Sequence, residues 1–124
     1  MRITNVPFYS FVGLGADARL CSGALANVKQ IEKAFMIFPP GTNHQLYYRL
    51  FWDVRPTLPA TGIPPGTELS YPDQTPAQYT GDGIAYPVRW ELPVTEPVIY
   101  LKCYMNNSLT FNVYGACVVD VVRV

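Results

Sequence analysis

Along much of this chain apolar and polar side chains alternate with a period of two, which puts neighbours on opposite faces of a strand. In 45–54, Leu46, Tyr48, Leu50, Trp52 and Val54 share one face, and Gln45, Tyr47, Arg49, Phe51 and Asp53 share the other. In 84–92, Ile84, Tyr86, Val88, Trp90 and Leu92 alternate with Ala85, Pro87, Arg89 and Glu91. Pro87 has no N–H to give to a ladder, so this strand belongs at a sheet edge or is bulged there. Residues 3–12 read as another strand, which Pro7 places at an edge for the same reason.

The C-terminal third carries the strongest pattern. A three-residue turn at Asn106-Asn107-Ser108 sets Met105 opposite Leu109, Cys103 opposite Phe111 and Leu101 opposite Val113. The other face becomes Tyr104–Thr110, Lys102–Asn112 and Tyr100–Tyr114. A two-residue turn mixes the faces, so the register that segregates them is preferred. Cys117, Val119 and Val121 continue the inward parity, Asp120 points out, and the last strand runs over 109–122 with a bulge or bend at Gly115. Phe35-Met36-Ile37-Phe38 before Pro39-Pro40-Gly41 and a further strand predicts strand, turn, strand over 31–38 and beyond. Residues 22–30 receive no assignment, because Leu25, Val28, Ile31 and Phe35 also fit a helical spacing.

Residues 55–83 show neither period and hold six of the twelve prolines. A linker there would leave two halves too small to be comfortable alone, so the reading is one domain over 1–124 with a long proline-rich loop. Several strands, turn residues between them and no convincing helix predict an all-β antiparallel β-sandwich, jelly-roll-like rather than immunoglobulin-like.

Composition then narrows the chemistry. Nine basic and nine acidic residues cancel, and no basic run exists, which argues against a nucleic-acid partner. No apolar stretch is long enough for a membrane-spanning helix, and the first residues do not read as a signal peptide. Cys21, Cys103 and Cys117 are odd in number and share no metal-ligand spacing, so they read as free, mostly buried thiols, as in a reducing cytoplasm. The only imidazole, His44, follows Pro-Pro-Gly-Thr-Asn and reads as an exposed turn residue rather than a general base. Gly13-Leu14-Gly15 reads as a β-turn, not a phosphate loop. Asp53 and Glu91 alternate with Arg49 and Arg89 and read as members of a cross-strand surface ion-pair ladder, not as a glycosidase couple. Asp73 and Asp82 make too small a set for calcium. No catalytic residue, metal or cofactor is assigned, and the chain reads as non-enzymatic.

Aromatics carry the candidate function. Seventeen of 124 residues are Phe, Trp or Tyr. Tyr48, Trp52, Tyr86 and Trp90 face inward, whereas Tyr47, Phe51, Tyr100, Tyr104 and Tyr114 fall on outer faces. So many rings toward water call for a cover: the long loop, another subunit, or a flat ligand such as a sugar. Tyr71 and Tyr79, in the proline-rich segment, join them as interface candidates.

Two stretches resemble a known group. Phe35-Met36-Ile37-Phe38-Pro39-Pro40-Gly41-Thr42 followed by Leu46-Tyr47-Tyr48-Arg49-Leu50-Phe51-Trp52 is similar to the opening of small β-sandwich virion proteins of bacteriophages. Residues 97–104 to 118–122 resemble their closing hairpin. The resemblance implies a structural protein of the virion, a capsid decoration or a tail or fibre component, assembled in the host cytoplasm. Its partners would be copies of itself, in a trimer for instance, or a capsid or tail protein. The alternative is a carbohydrate-binding module that stacks sugars on exposed rings.

Overall fold

The computed structural model describes residues 2–69 and 78–124, and the architecture is all-β. The strands are β1 (Arg2–Val12), β2 (Asp17–Cys21), β3 (Leu25–Ala26), β4 (Val28–Phe38) and β5 (Leu46–Asp53). They continue with β6 (Thr67–Glu68), β7 (Tyr79–Thr80), β8 (Ile84–Pro93), β9 (Val98–Asn107) and β10 (Val113–Arg123). One antiparallel sheet has the order β1-β10-β4-β8, the other β2-β9-β5-β6, with β3 added to β9 and β7 to β5. The chain is therefore an antiparallel β-sandwich. From β1 to β2, β4 to β5, and β8 to β9 to β10, the connections cross from one sheet to the other.

Periodicity places most of the inner face correctly, although Val54, Ile84 and Phe111, which share its parity, are exposed. Leu46, Tyr48 and Leu50 of β5 pack against Met36, Phe38, Val119 and Val121 of the opposite sheet, all within one apolar core. β1 and β8 are the edges of their sheet, as Pro7 and Pro87 require. β8 is also bulged. Its register with β4 shifts between Ile31 and Lys33, and Glu91 sits at φ 51°, a left-handed conformation that is uncommon for a side chain with a Cβ.

Three expectations are corrected. β9 and β10 do not form a hairpin: β9 pairs with β2 and β5, whereas β10 pairs with β1 and β4. Residues 108–112 instead arch between the sheets. Asn107 holds this arch from a buried position. Its amide donates to the carbonyls of Val12, Gly13 and Phe111, and its oxygen accepts the Leu109 N–H at 2.9 Å. Asn107→Ala would strand several of these buried groups, so a loss of about 2–3 kcal/mol is expected in chemical denaturation.

The last strand consequently starts at Val113, not at 109. Gly115 marks no bulge, since its register with β1 is continuous and the irregularities lie at Asp120/Val121 and Val122/Arg123. Glycine is required there for space. A Cβ would lie 2.5 Å from Met105 Sδ and 3.1 Å from the Tyr48 ring. Tyr48 crosses the core from the other sheet. Its ring stacks on Phe38 with centroids 4.4 Å apart, its hydroxyl donates to the Ile37 carbonyl at 2.6 Å, and it accepts the Ala116 N–H at 3.0 Å. Residues 22–30, unassigned from sequence, supply β3 and the start of β4, with Asn27 between them at φ 58°.

Candidate functional surface

The proposed interface residues separate into distinct environments. Phe51, Tyr79 and Tyr104 are buried within the chain, Tyr47 and Tyr100 are half-buried, and Tyr114 is exposed. Tyr71 lies outside the described residues. Tyr114 also belongs to the other sheet, because the hairpin that would have joined it to Tyr100 and Tyr104 does not form.

A loop covers the outward side of β2-β9-β5. The Arg19 side chain donates to the Gly62 carbonyl, and Lys102, completely buried, donates to the Pro65 carbonyl at 3.1 Å. The Lys102 ammonium also meets Asp53 at 2.8 Å. That hydrogen bond holds the Asp53 carboxyl below the usual carboxylate range, assisted by the backbone N–H groups of Val54 and Arg55. Asp53, Val54, Arg55, Thr57, Pro65 and Gly66 frame an open cleft of about 300 Å³ beside this pair. Asp17 accepts from both Arg19, at 2.8 Å, and the Tyr104 hydroxyl, at 2.8 Å. Arg49 grips Glu68 of β6 through two bonds of 2.6 and 2.7 Å. The carboxylates on this face thus serve as loop and strand ties. Asp53 and Glu91 are in ion pairs but not in the cross-strand surface ladder expected: Glu91 pairs with Arg89 of its own strand, and Asp53 pairs with the buried Lys102.

His44 is exposed in the turn before β5, with Nδ1 3.2 Å from the Thr80 hydroxyl. Among the described residues no group of three or more His, Cys, Asp or Glu is placed to hold a metal. All three cysteines are free. Burial pushes the Cys103 thiol well above its ordinary pKa, and a hydrogen bond with the Cys117 thiol adds to this. Burial also raises Cys21. The native protein at mildly alkaline pH is therefore expected to alkylate slowly, at Cys21 alone, and to take up label at all three sites only in denaturant. Rapid native labelling of Cys103, read by peptide mass spectrometry, would contradict the buried pair.

The outward side of β1-β10-β4-β8 is different. Register places Tyr9, Ala116, Ile37 and Ala85 in one row across all four strands, and Pro7, Val118, Phe35 and Pro87 in the next. Phe11 and Tyr114 extend this surface at one end. Tyr9 is 66% exposed, Tyr114 54% and Phe35 38%. Tyr9 and Tyr114 stack at 5.3 Å, and Phe11 meets Tyr114 edge-on. Beyond the apolar rows comes a polar one: Asn5, Asp120, Lys33 and Arg89. Antiparallel sheets that face water on one side usually show polar residues there. Two consecutive apolar rows across an entire sheet depart from that rule and make this the candidate functional surface.

Sequence reasoning missed most of it. Tyr9, Phe11, Phe35 and Ile37 were legible as alternating residues, but only strand order brings them side by side. Comparison of the chain with protein-family models, curated proteins and solved structures finds no match.

Proposed function

We propose that this chain is a non-enzymatic structural subunit of a virion, a shell, decoration or tail component, that acts by burying one sheet face against neighbouring subunits. The observation that carries this reading is the pair of apolar rows on the outward side of β1-β10-β4-β8. Contiguous apolar surface of that extent is a mark of protein–protein contact. The interleaved order β1-β10-β4-β8 over β2-β9-β5-β6 supports the jelly-roll reading, an architecture used by viral capsid and lectin domains. A fold of that type does not by itself give function, so the surface bears the argument.

The second reading is carbohydrate binding, favoured by the exposed Tyr9–Tyr114 stack. Solution mass as a function of concentration, with and without a candidate virion shell, separates the two. Self-association or shell binding is the expected result. A persistent monomer that ignores shells, but whose tyrosine fluorescence responds to a polysaccharide, would favour the second reading.

A further inference from the structure

We infer that the partner on this sheet face is a second copy of the same chain, packed face to face about a two-fold axis parallel to the strands. This rests on the assembly reading above and names its partner and geometry. Three observations lead to it. First, the edges of this sheet are closed to strand addition at Pro7 and Pro87, since proline gives no N–H to a neighbour. A second copy therefore seats on the face rather than extending the sheet.

Second, the face is large enough. Four strands spaced ~4.8 Å, with β1, β4 and β10 each eleven residues long at ~3.3 Å per residue, give roughly 700 Å² in projection. A standard stable interface uses about 800 Å² per partner, a value that side-chain relief brings within reach.

Third, the charges are self-complementary. An axis running between β10 and β4 lays β10 over the partner's β4 and keeps each row opposite itself. Asp120, which the expectation of an outward side chain left open to water but which is only 8% exposed, then lies opposite the partner's Lys33, and Lys33 opposite the partner's Asp120. Within one chain these two are cross-strand neighbours, yet Asp120 makes no ion pair among the described residues, and the Lys33 ammonium rests over the Phe35 ring at 5.3 Å. The apolar rows come together beside these contacts. The chain is neutral overall, so no net repulsion opposes the pairing. A self-complementary face generates a two-fold pair, rather than the trimer suggested from sequence.

Charge reversal in trans tests this. Lys33→Asp and Asp120→Lys are each expected to weaken self-association by at least about tenfold, because each sets like charges opposite one another twice. An equimolar mixture of the two variants is expected to associate within about threefold of the parent, since every contact in the mixed pair is again Asp against Lys. Cross-strand effects inside one chain cannot produce rescue by mixing. Should either variant fail to fold, Ile37→Glu, on the exposed face, replaces it and is expected to abolish pairing with an unchanged circular dichroism spectrum. If the parent associates but none of these substitutions alters its mass, this geometry is overturned and the assembly reading stands. If the parent remains monomeric at millimolar concentration and binds no shell, both fall together.

Discussion

Asp53→Ala is expected to destabilise the fold by about 3–5 kcal/mol, the usual cost of leaving one member of a buried ion pair without its partner. Lys102 has no exposed surface, and its ammonium is held by Asp53 and the Pro65 carbonyl. Remove the carboxylate and the Lys102 ammonium keeps only the Pro65 carbonyl as a partner among the described residues. Lys102→Met in the same background should recover most of the loss, because the uncompensated charge goes with it and the thioether fills the space. Denaturant titration of the two single variants and the double variant gives the coupling directly. If the double variant were no more stable than Asp53→Ala, the pair would not be the cause.

The same contact predicts acid sensitivity. The folded-state pKa of Asp53 is lowered, so its contribution is fully present above the unfolded carboxylate value of about 3.9 and is lost as pH falls through the lower folded value. Asp53→Asn should remove that part of the acid limb of the stability curve. An unchanged limb would mean that other carboxylates govern it.

Tyr48→Ala is expected to cost about 3–5 kcal/mol, as large-to-small changes at buried rings do. Tyr48→Phe should cost about 1–3 kcal/mol, because it keeps the ring but leaves the Ile37 carbonyl and the Ala116 N–H without the hydroxyl they share. The ratio of the two losses tells how much of the cross-sheet tie is packing and how much is hydrogen bonding. Equal losses would place the whole effect in the hydroxyl.

The sequence pattern revealed which strands exist and which way their side chains face. Leu101, Cys103 and Met105, and then Cys117, Val119 and Val121, all point into the core as alternation predicts. It did not reveal partners. A hairpin and an arch between sheets put nearly the same residues inside, Phe111 being the exception, so segregation of faces could not tell them apart. The Asn106-Asn107-Ser108 turn was misplaced for this reason: Asn107 ends β9 and turns its amide inward to hold an arch. Gly115 reads as a bulge or bend because glycine in a strand has two common causes; the ladder shows no bulge there, and the second cause, a close approach by Tyr48 and Met105, requires knowing the opposite sheet. Phe51 and Tyr104 lie on the outward side as expected, yet both are buried: the Arg49 guanidinium lies over Phe51, and Arg19 and Tyr47 lie against Tyr104. The sequence held no signal for that cover: Lys102 reads as an outward residue, and its burial against Asp53 depends on the pairing of β9 with β5. β2 escaped notice because Asp17-Ala18-Arg19-Leu20-Cys21 is too short and mixed to show a period.

The candidate surface was hidden more completely. Each strand of β1-β10-β4-β8 contributes only two to four outward apolar residues, none unusual alone. Their significance arises from register, which aligns Tyr9 with Ile37 and Pro7 with Phe35 across β10.

Side-chain footprinting by hydroxyl radicals, on dilute and on associated protein, puts the central claim to its most direct test. Burial of the outward face of β1-β10-β4-β8 predicts that Tyr9, Phe35 and Ile37 lose reactivity on association while Tyr47 and Tyr100, on the opposite sheet, keep theirs. Protection of Tyr47 and Tyr100 with Tyr9, Phe35 and Ile37 unchanged would contradict it.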